Sequence, residues 1–464
     1  MSVDLPETLA RYRQQHLLEH AAGLDEARRQ ALQQQISALD LQQIHDLFLT
    51  RDAEHQWAEL ARRAAPPEAI RLGDSDHVGT SRADAVERGV AALAAGEIGL
   101  VMVAGGQGSR LGFNHPKGMY PLGPVSGRTL FQIHFDKLAA VGHRYGVTIP
   151  LYIMTSPATH EETVTWLKQH DWFGYPADYR RTFCQGTMPA VDAENGQILL
   201  SAAGELFLGP DGHGGMLAAI ERSGALEDID ARGLRQLFYC QVDNPLCQIC
   251  DPLTIGYHLA SESEMSSQAI PKTGPLQSVG NLVSIDGRIH VIEYSDLPGE
   301  VACQTRADGS LLLWAGSIAV HVFDVDFLKR MAQHAGALPF HLARKKVPYL
   351  DRSGQRVEPA SPNALKFEKF IFDLLPLARH SIVVEVDPAE AFSPVKNSAT
   401  GSTSTVLTAQ QAILRQARTA LQQIDVDVDS SIPVELAPEL LANPDALRQR
   451  LAGLSDIREP VYLK

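Results

Sequence analysis

The run Ile98-Gly-Leu-Val-Met-Val-Ala104 passes without a break into Gly105-Gly-Gln-Gly-Ser-Arg-Leu-Gly112, and Pro116-Lys117-Gly118 follows shortly after. An unbroken apolar run of this length reads as a strand covered on both faces, as in a parallel sheet. A glycine-rich loop at the carboxyl end of such a strand lies where α/β sheets bind ligands. Residues 129–141 have the composition of a helix, and residues 149–155 form a second apolar run. Strand, helix, strand is a βαβ unit, so the chain is expected to build a Rossmann-like, doubly wound α/β core.

The loop has its own chemistry. Gly105, Gly106, Gly108 and Gly112 allow close backbone approach. Their amides can face a phosphate chain. Arg110 offers a planar fork and Lys117 a mobile point charge. No GxxxxGK[ST] is present, which excludes a Walker loop, and Leu111 stands where a dinucleotide fingerprint needs glycine. The remaining reading is a triphosphate cradle, with Lys117 held beyond the loop on a chain stiffened by Pro116.

Around this core, residues 1–65 read as helical, with apolar residues at Ile36, Leu39, Leu41, Ile44, Leu47 and Phe48. Pro66-Pro67 ends that region. A helix is expected over residues 84–96 and strands over 236–243 and 381–386. A hairpin is expected where Asp286-Gly287 joins residues 279–285 to 288–294. Residues 389–397 read as a loop and 408–421 as a helix. The expected division is a helical region 1–85, a catalytic domain 86–400 and a small C-terminal domain 401–464.

Among 464 residues, 44% are hydrophobic and 21% charged, which supports a sizeable core. The formal net charge of −14 argues against nucleic acid and anionic membranes as partners. No apolar run is long enough to span a bilayer, and the first residues lack a signal-peptide core, so a cytoplasmic location is expected. The five cysteines are an odd and sparse set, which suits a reducing compartment. Cys247 and Cys250 have CxxC spacing, but no second pair follows, so they read as small core residues rather than a metal or redox pair.

The segment 104–120 resembles the signature of the UDP-N-acetylhexosamine pyrophosphorylases, within the wider UTP–sugar-1-phosphate uridylyltransferases. Further blocks match in order: Gln185-Gly-Thr-Met-Pro-Ala190, Gly209-Pro-Asp-Gly-His-Gly-Gly215, Val242-Asp-Asn244, Val279-Gly280, Glu293-Tyr-Ser295, Ala315-Gly316, Pro362-Asn-Ala-Leu-Lys366 and Phe392-Ser-Pro-Val-Lys-Asn397. The resemblance implies a mixed central sheet of the nucleotide-diphospho-sugar transferase type, with N-terminal helical and small C-terminal pieces. It implies UTP and a sugar 1-phosphate as substrates, N-acetylglucosamine 1-phosphate first among them, and Mg²⁺ or Mn²⁺ as cofactor. It leaves the oligomeric state open.

Residue by residue, the resemblance assigns Lys117 and Lys396 to the phosphates, Asp243 to the metal and Lys366 to the sugar phosphate. It assigns Gln185 to uracil, where an amide offers one donor and one acceptor. It gives Gly106 and Gly212 main-chain contacts to base and ribose, and Gly280 and Glu293 contacts to the sugar. Asn244, beside Asp243, is counted with the substrate contacts, as is Gly105. Two blocks depart from the family. His213 stands in place of an Asn, and Ser317 and Val320 replace two Asn of an AGNIANH block. A lost amide alters hydrogen-bonding capacity, so glucose 1-phosphate and galactose 1-phosphate stay open as substrates. A catalytically silent sugar-nucleotide binder is a second class, which retention of Lys117, Asp243 and Lys396 argues against. A dinucleotide oxidoreductase is a third, disfavoured by Leu111.

Overall fold

The structure is a computed structural model and describes residues 5–51, 55–77, 79–334, 336, 338–398, 401, 403–452 and 456–464. The chain forms two compact units. One comprises residues 1–59, 185–218 and 335–373; the other comprises 60–184, 219–334 and 374–464.

The larger unit is built on one mixed sheet. Its strands, in chain order, are β1 (Ala69–Ile70), β2 (Ile98–Val103), β3 (Leu151–Thr155), β4 (Arg180–Cys184), β5 (Gln236–Gln241), β6 (Met265–Pro271), β7 (Gly280–Ile285), β8 (Arg288–Ile292), β9 (Ala315–Asp324) and β10 (Ser381–Glu385). The spatial order is β1-β10-β6-β9-β5-β2-β3-β4. β5, β2, β3 and β4 pair in parallel, as do β1, β10 and β6. β9 runs antiparallel between β5 and β6. The mixed doubly wound sheet expected from the sequence is therefore present, and β9 supplies the mixing.

One edge of this sheet collects several of the candidate segments. The carboxyl ends of β2, β3, β5, β6 and β10 lie together there, and β9 begins there. β7 pairs with β8 and meets β9 at its start, through Gly280 with Ser317 and Asn281 with Gly316. The β7–β8 hairpin therefore projects past that edge. Asp286 and Gly287 at its tip both have positive φ, the turn that Asp-Gly favours.

The helices start and stop where side chains dictate. The helix expected over residues 84–96 begins at Arg82, because Ser81 and Asp84 close a capping box. The expected 129–141 helix runs over Leu130–Tyr145, capped by Thr129 and stopped by Gly146 at φ 70°. The expected 389–397 loop opens with a helical turn, Pro388–Ala391, which Asp387 caps. The last helix of the core, Val406–Gln422, has Thr405 and Thr408 in a capping box. Beyond it, two short parallel strand pairs and two short helices share a small core of Leu421, Val434, Leu436, Leu440 and Leu447.

Helices Arg82–Ala94 and Pro252–Ala260 cross without a gap. A Cβ on Gly89 would lie 1.9 Å from the Pro252 carbonyl oxygen, and one on Gly256 would lie 1.6 Å from that of Ala85. Both obstacles are backbone, so they cannot rotate away. Gly256→Ala is expected to destabilise the fold by about 3 kcal/mol, the upper range for overpacking, read as a lower urea midpoint. An unchanged midpoint would contradict this packing.

The smaller unit packs the N-terminal helices through Leu9, Leu17, Leu32, Ile36, Leu41 and Ile44. Their partners are Val191, Ile198, Leu200, Leu365 and Phe367. All five cysteines are free thiols; Cys240, Cys247 and Cys250 are buried in the larger unit. Among the described residues no helix is long and apolar enough to cross a membrane.

Candidate active site

The loop after β2 folds back as a tight hairpin. The Lys117 amide donates to the Gly106 carbonyl at 2.9 Å, and the Gly108 amide to that of His115 at 2.9 Å. Residue 117 is thereby laid against residue 106, and Lys117 Cε is 3.9 Å from where a Gly106 Cβ would stand. Gly108 is obligatory, since a side chain there would meet the Phe113 oxygen at 2.7 Å. Ser156, the first residue past β3, donates its Oγ to the Gly105 carbonyl at 2.8 Å. Sequence reasoning did not single out Ser156; its position at the end of an apolar run was the available signal. Arg110 sits exposed on the turn Ser109–Leu111, anchored by the buried Leu111.

Asp243 lies two residues past β5. Its Oδ2 is 3.4 Å from Lys117 Nζ, and the two side chains are only 12% and 18% exposed. The backbone around it is held independently. His134 Nε2 donates to the Val242 carbonyl at 3.0 Å. Burial pushes the His134 pKa down to about 4, so the ring is neutral. The Val395 amide donates to the Asp243 carbonyl at 2.8 Å, which ties the Lys396 segment to Asp243.

Asn244, expected among the substrate contacts, has a different task. It is buried, its Nδ2 donates to the Ala391 carbonyl at 2.8 Å, and its Oδ1 accepts from the Ser393 amide at 3.1 Å. Both ends of the amide are used by the chain that leads to Lys396. Asn244 is a positioning residue.

Gly280, Glu293 and Ser317 form a second cluster at the same sheet edge. A Cβ on Gly280 would stand 3.2 Å from Glu293 Oε1, 2.6 Å from Val291 Cγ1 and 3.8 Å from Ser317 Cβ. Val320 is not part of it. It is 1% exposed and belongs to the hydrophobic core, so its replacement of an Asn does not alter a pocket. On the reverse face of the hairpin, the buried Lys272 donates to Asn281 Oδ1 at 2.5 Å, and Asn281 Nδ2 donates to the Ile292 carbonyl at 3.1 Å. This pair braces the strands that carry Gly280 and Glu293.

Gln185, Gly212, His213 and Lys366 come together in the smaller unit. Gln185 is buried, and its Nε2 reaches the Gly212 carbonyl at 3.5 Å. Gly212 has φ 85°, and a Cβ there would lie 2.3 Å from the Lys369 carbonyl. The His213 ring stacks on Phe370 at 5.2 Å between centroids, and its Nδ1 accepts from the Ile371 amide at 3.2 Å. Nδ1 is therefore unprotonated, and the ring acts in packing and hydrogen bonding. Lys366 lies along Gly209, where a Cβ would meet its Cε at 2.9 Å.

Among the described residues no cluster of three or more His, Cys, Asp or Glu side chains is arranged to hold a metal by itself. A single carboxylate such as Asp243 still fits Mg²⁺, which commonly takes one or two protein carboxylates and completes its shell with water and substrate phosphates.

Comparison with known proteins identifies the family. A family model described as UTP–glucose-1-phosphate uridylyltransferase matches residues 45–464. The chain is 35% identical over 408 residues to UDP-N-acetylhexosamine pyrophosphorylase-like protein 1 of Xenopus tropicalis, covering 85% of this chain and 79% of that one. It is 36% identical over 360 residues to the UDP-N-acetylglucosamine pyrophosphorylase of Saccharomyces cerevisiae, covering 76% and 75%. The crystal structure of the uridine diphosphate N-acetylglucosamine pyrophosphorylase from Trypanosoma brucei superposes with a TM-score of 0.80 at 23% identity, over 99% of this chain and 97% of that one.

Proposed function

We propose that the chain, which belongs to the UTP–glucose-1-phosphate uridylyltransferase family, transfers the uridylyl group of UTP to N-acetylglucosamine 1-phosphate, forming UDP-N-acetylglucosamine and pyrophosphate. The observation that carries this reading is Lys117 beside Asp243 at the carboxyl edge of the sheet, under a glycine-lined loop. A phosphate cradle, a cation and a metal-capable carboxylate are what phosphoryl transfer needs.

The sugar phosphate oxygen is already anionic, so it attacks the α-phosphorus without a protein base and pyrophosphate leaves. Catalysis is positioning plus charge neutralisation. The amides around Gly105 and Gly106 hold the phosphate chain. Arg110, Lys117 and Lys396 supply positive charge, with Lys117 acting where charge develops on the transferred group. Asp243 would hold Mg²⁺, which when bound neutralises phosphate oxygens. Gln185, with the Gly212 main chain, reads the imide edge of uracil, and Lys366 attracts the sugar phosphate. Gly280 leaves room for the sugar, Glu293 accepts from its hydroxyls, and Ser317 contributes a hydroxyl at the same place. A cytoplasmic enzyme suits these substrates.

The support for N-acetylglucosamine comes from the relatives and from the core position of Val320, which leaves Ser317 as the altered residue of this cluster. Pyrophosphate release with UTP and a panel of sugar 1-phosphates tests the reading. N-acetylglucosamine 1-phosphate is expected to exceed glucose 1-phosphate by about tenfold or more in kcat/KM. If glucose or galactose 1-phosphate matches it, Ser317 has broadened the sugar site. If another nucleoside triphosphate outperforms UTP with every sugar, the Gln185 assignment fails.

A further inference from the structure

A cavity of about 670 Å³ opens in the larger unit behind the segments that carry Asp243 and Lys396. Its volume is in the range of small-molecule sites. One wall is the helix Leu130–Tyr145, through Lys137, Ala140, Val141 and Arg144. Opposite walls come from Val90, from residues 246–252, and from the helices Val406–Gln422 and Pro438–Ala442.

Most of this wall is aliphatic, and its polar groups are unequal. Both carboxylates on it are occupied. Asp251 caps the helix that follows it, accepting from Leu253 and Thr254. Glu390 Oε2 accepts from Gln416 Nε2 at 3.1 Å. The cations have capacity left. Lys137 Nζ donates to the Pro245 carbonyl at 2.5 Å and the Cys247 carbonyl at 3.0 Å. An ammonium has three donors, so one has no protein acceptor among the described residues. Lys137 is half-buried and lines the cavity, so that donor is available to an occupant. Arg144 uses one donor, on the Ala442 carbonyl.

We propose that this cavity binds an apolar monocarboxylate, with the carboxylate on Lys137 and the hydrocarbon along the helix toward Tyr145. The length fits: from Lys137 to Tyr145 the helix rises about 12 Å, room for a medium-length acyl chain. The site is coupled to the phosphate chemistry by contacts already in place. Its floor, residues 246–252, continues directly from Asp243 and Asn244. Glu390 on its wall precedes Ala391, which Asn244 holds. An occupant therefore bears on both segments that reach the carboxyl edge, and binding changes turnover.

Decanoate at submicellar concentration is the probe, titrated calorimetrically into the full-length protein. One site is expected, with decanol binding at least tenfold more weakly. Lys137→Met is expected to weaken decanoate at least tenfold and leave decanol unchanged. Ala140→Phe and, from the opposite wall, Val90→Trp fill the cavity and are expected to abolish both. Decanoate is expected to change kcat or KM at least twofold in the parent protein but not in the filled variants. The proposal is overturned if decanoate does not bind, if decanol binds equally well, if filling the cavity leaves binding intact, or if turnover ignores a bound ligand. Because binding is read without substrate, its failure is distinct from failure of the proposed reaction.

Discussion

Lys117→Ala is expected to lower kcat/KM for pyrophosphate release by two to three orders of magnitude, roughly what removal of one preorganised transition-state donor costs, in a protein that still folds. The fold is insensitive because the loop is closed by backbone. The Lys117 amide stays on the Gly106 carbonyl, and Ser156 stays on that of Gly105. The chemistry is sensitive because Lys117 is the cation that stands against Asp243, whereas Arg110 is exposed on its own turn. Lys117→Arg separates charge from geometry. The guanidinium is a wide planar fork, and the space beside Gly106 is shaped around a lysine stem. The arginine variant is expected to recover less than a tenth of the lost rate. Turnover of the alanine variant within threefold of the parent would remove Lys117 from the reaction.

Long apolar runs were legible because burial on both faces leaves a signal that needs no tertiary context. The strands at 98–103, 151–155, 236–241 and 381–385 were all read from such runs. The turn of the glycine-rich loop was equally legible, because Gly108 and Gly112 are required by local backbone geometry. The smaller unit is different. Its strands Thr187–Pro189, Val191–Asp192 and Leu208–Pro210 are two or three residues long, too short to show a period. Their association with the N-terminal helices depends on contacts across long stretches of chain. Side-chain roles were the least legible. Asn244 and Val320 sit inside family motifs, and nothing local distinguishes an amide that grips backbone from one that grips sugar. Lys272 and Lys137 look like any surface lysine in sequence, and only the fold buries the first and half-buries the second.

Asp243→Asn tests the other half of the charge pair, and its effect is expected to be as large. The substitution preserves shape. The backbone of the segment is fixed by His134 on the Val242 carbonyl and by Val395 on the Asp243 carbonyl, neither of which involves the carboxylate. What is lost is one negative charge 3.4 Å from Lys117 Nζ. If that carboxylate holds Mg²⁺, the variant needs more divalent cation for half-maximal rate, and kcat falls about a hundredfold or more even at saturating metal. If it served only to orient Lys117, the metal titration would keep its midpoint while the rate fell. The double variant Lys117→Ala, Asp243→Asn decides how the two share the work. Groups that act as a unit give losses far from additive, so the double variant is expected to be little worse than either single one. Multiplied losses would mean that the cation and the carboxylate act on different steps.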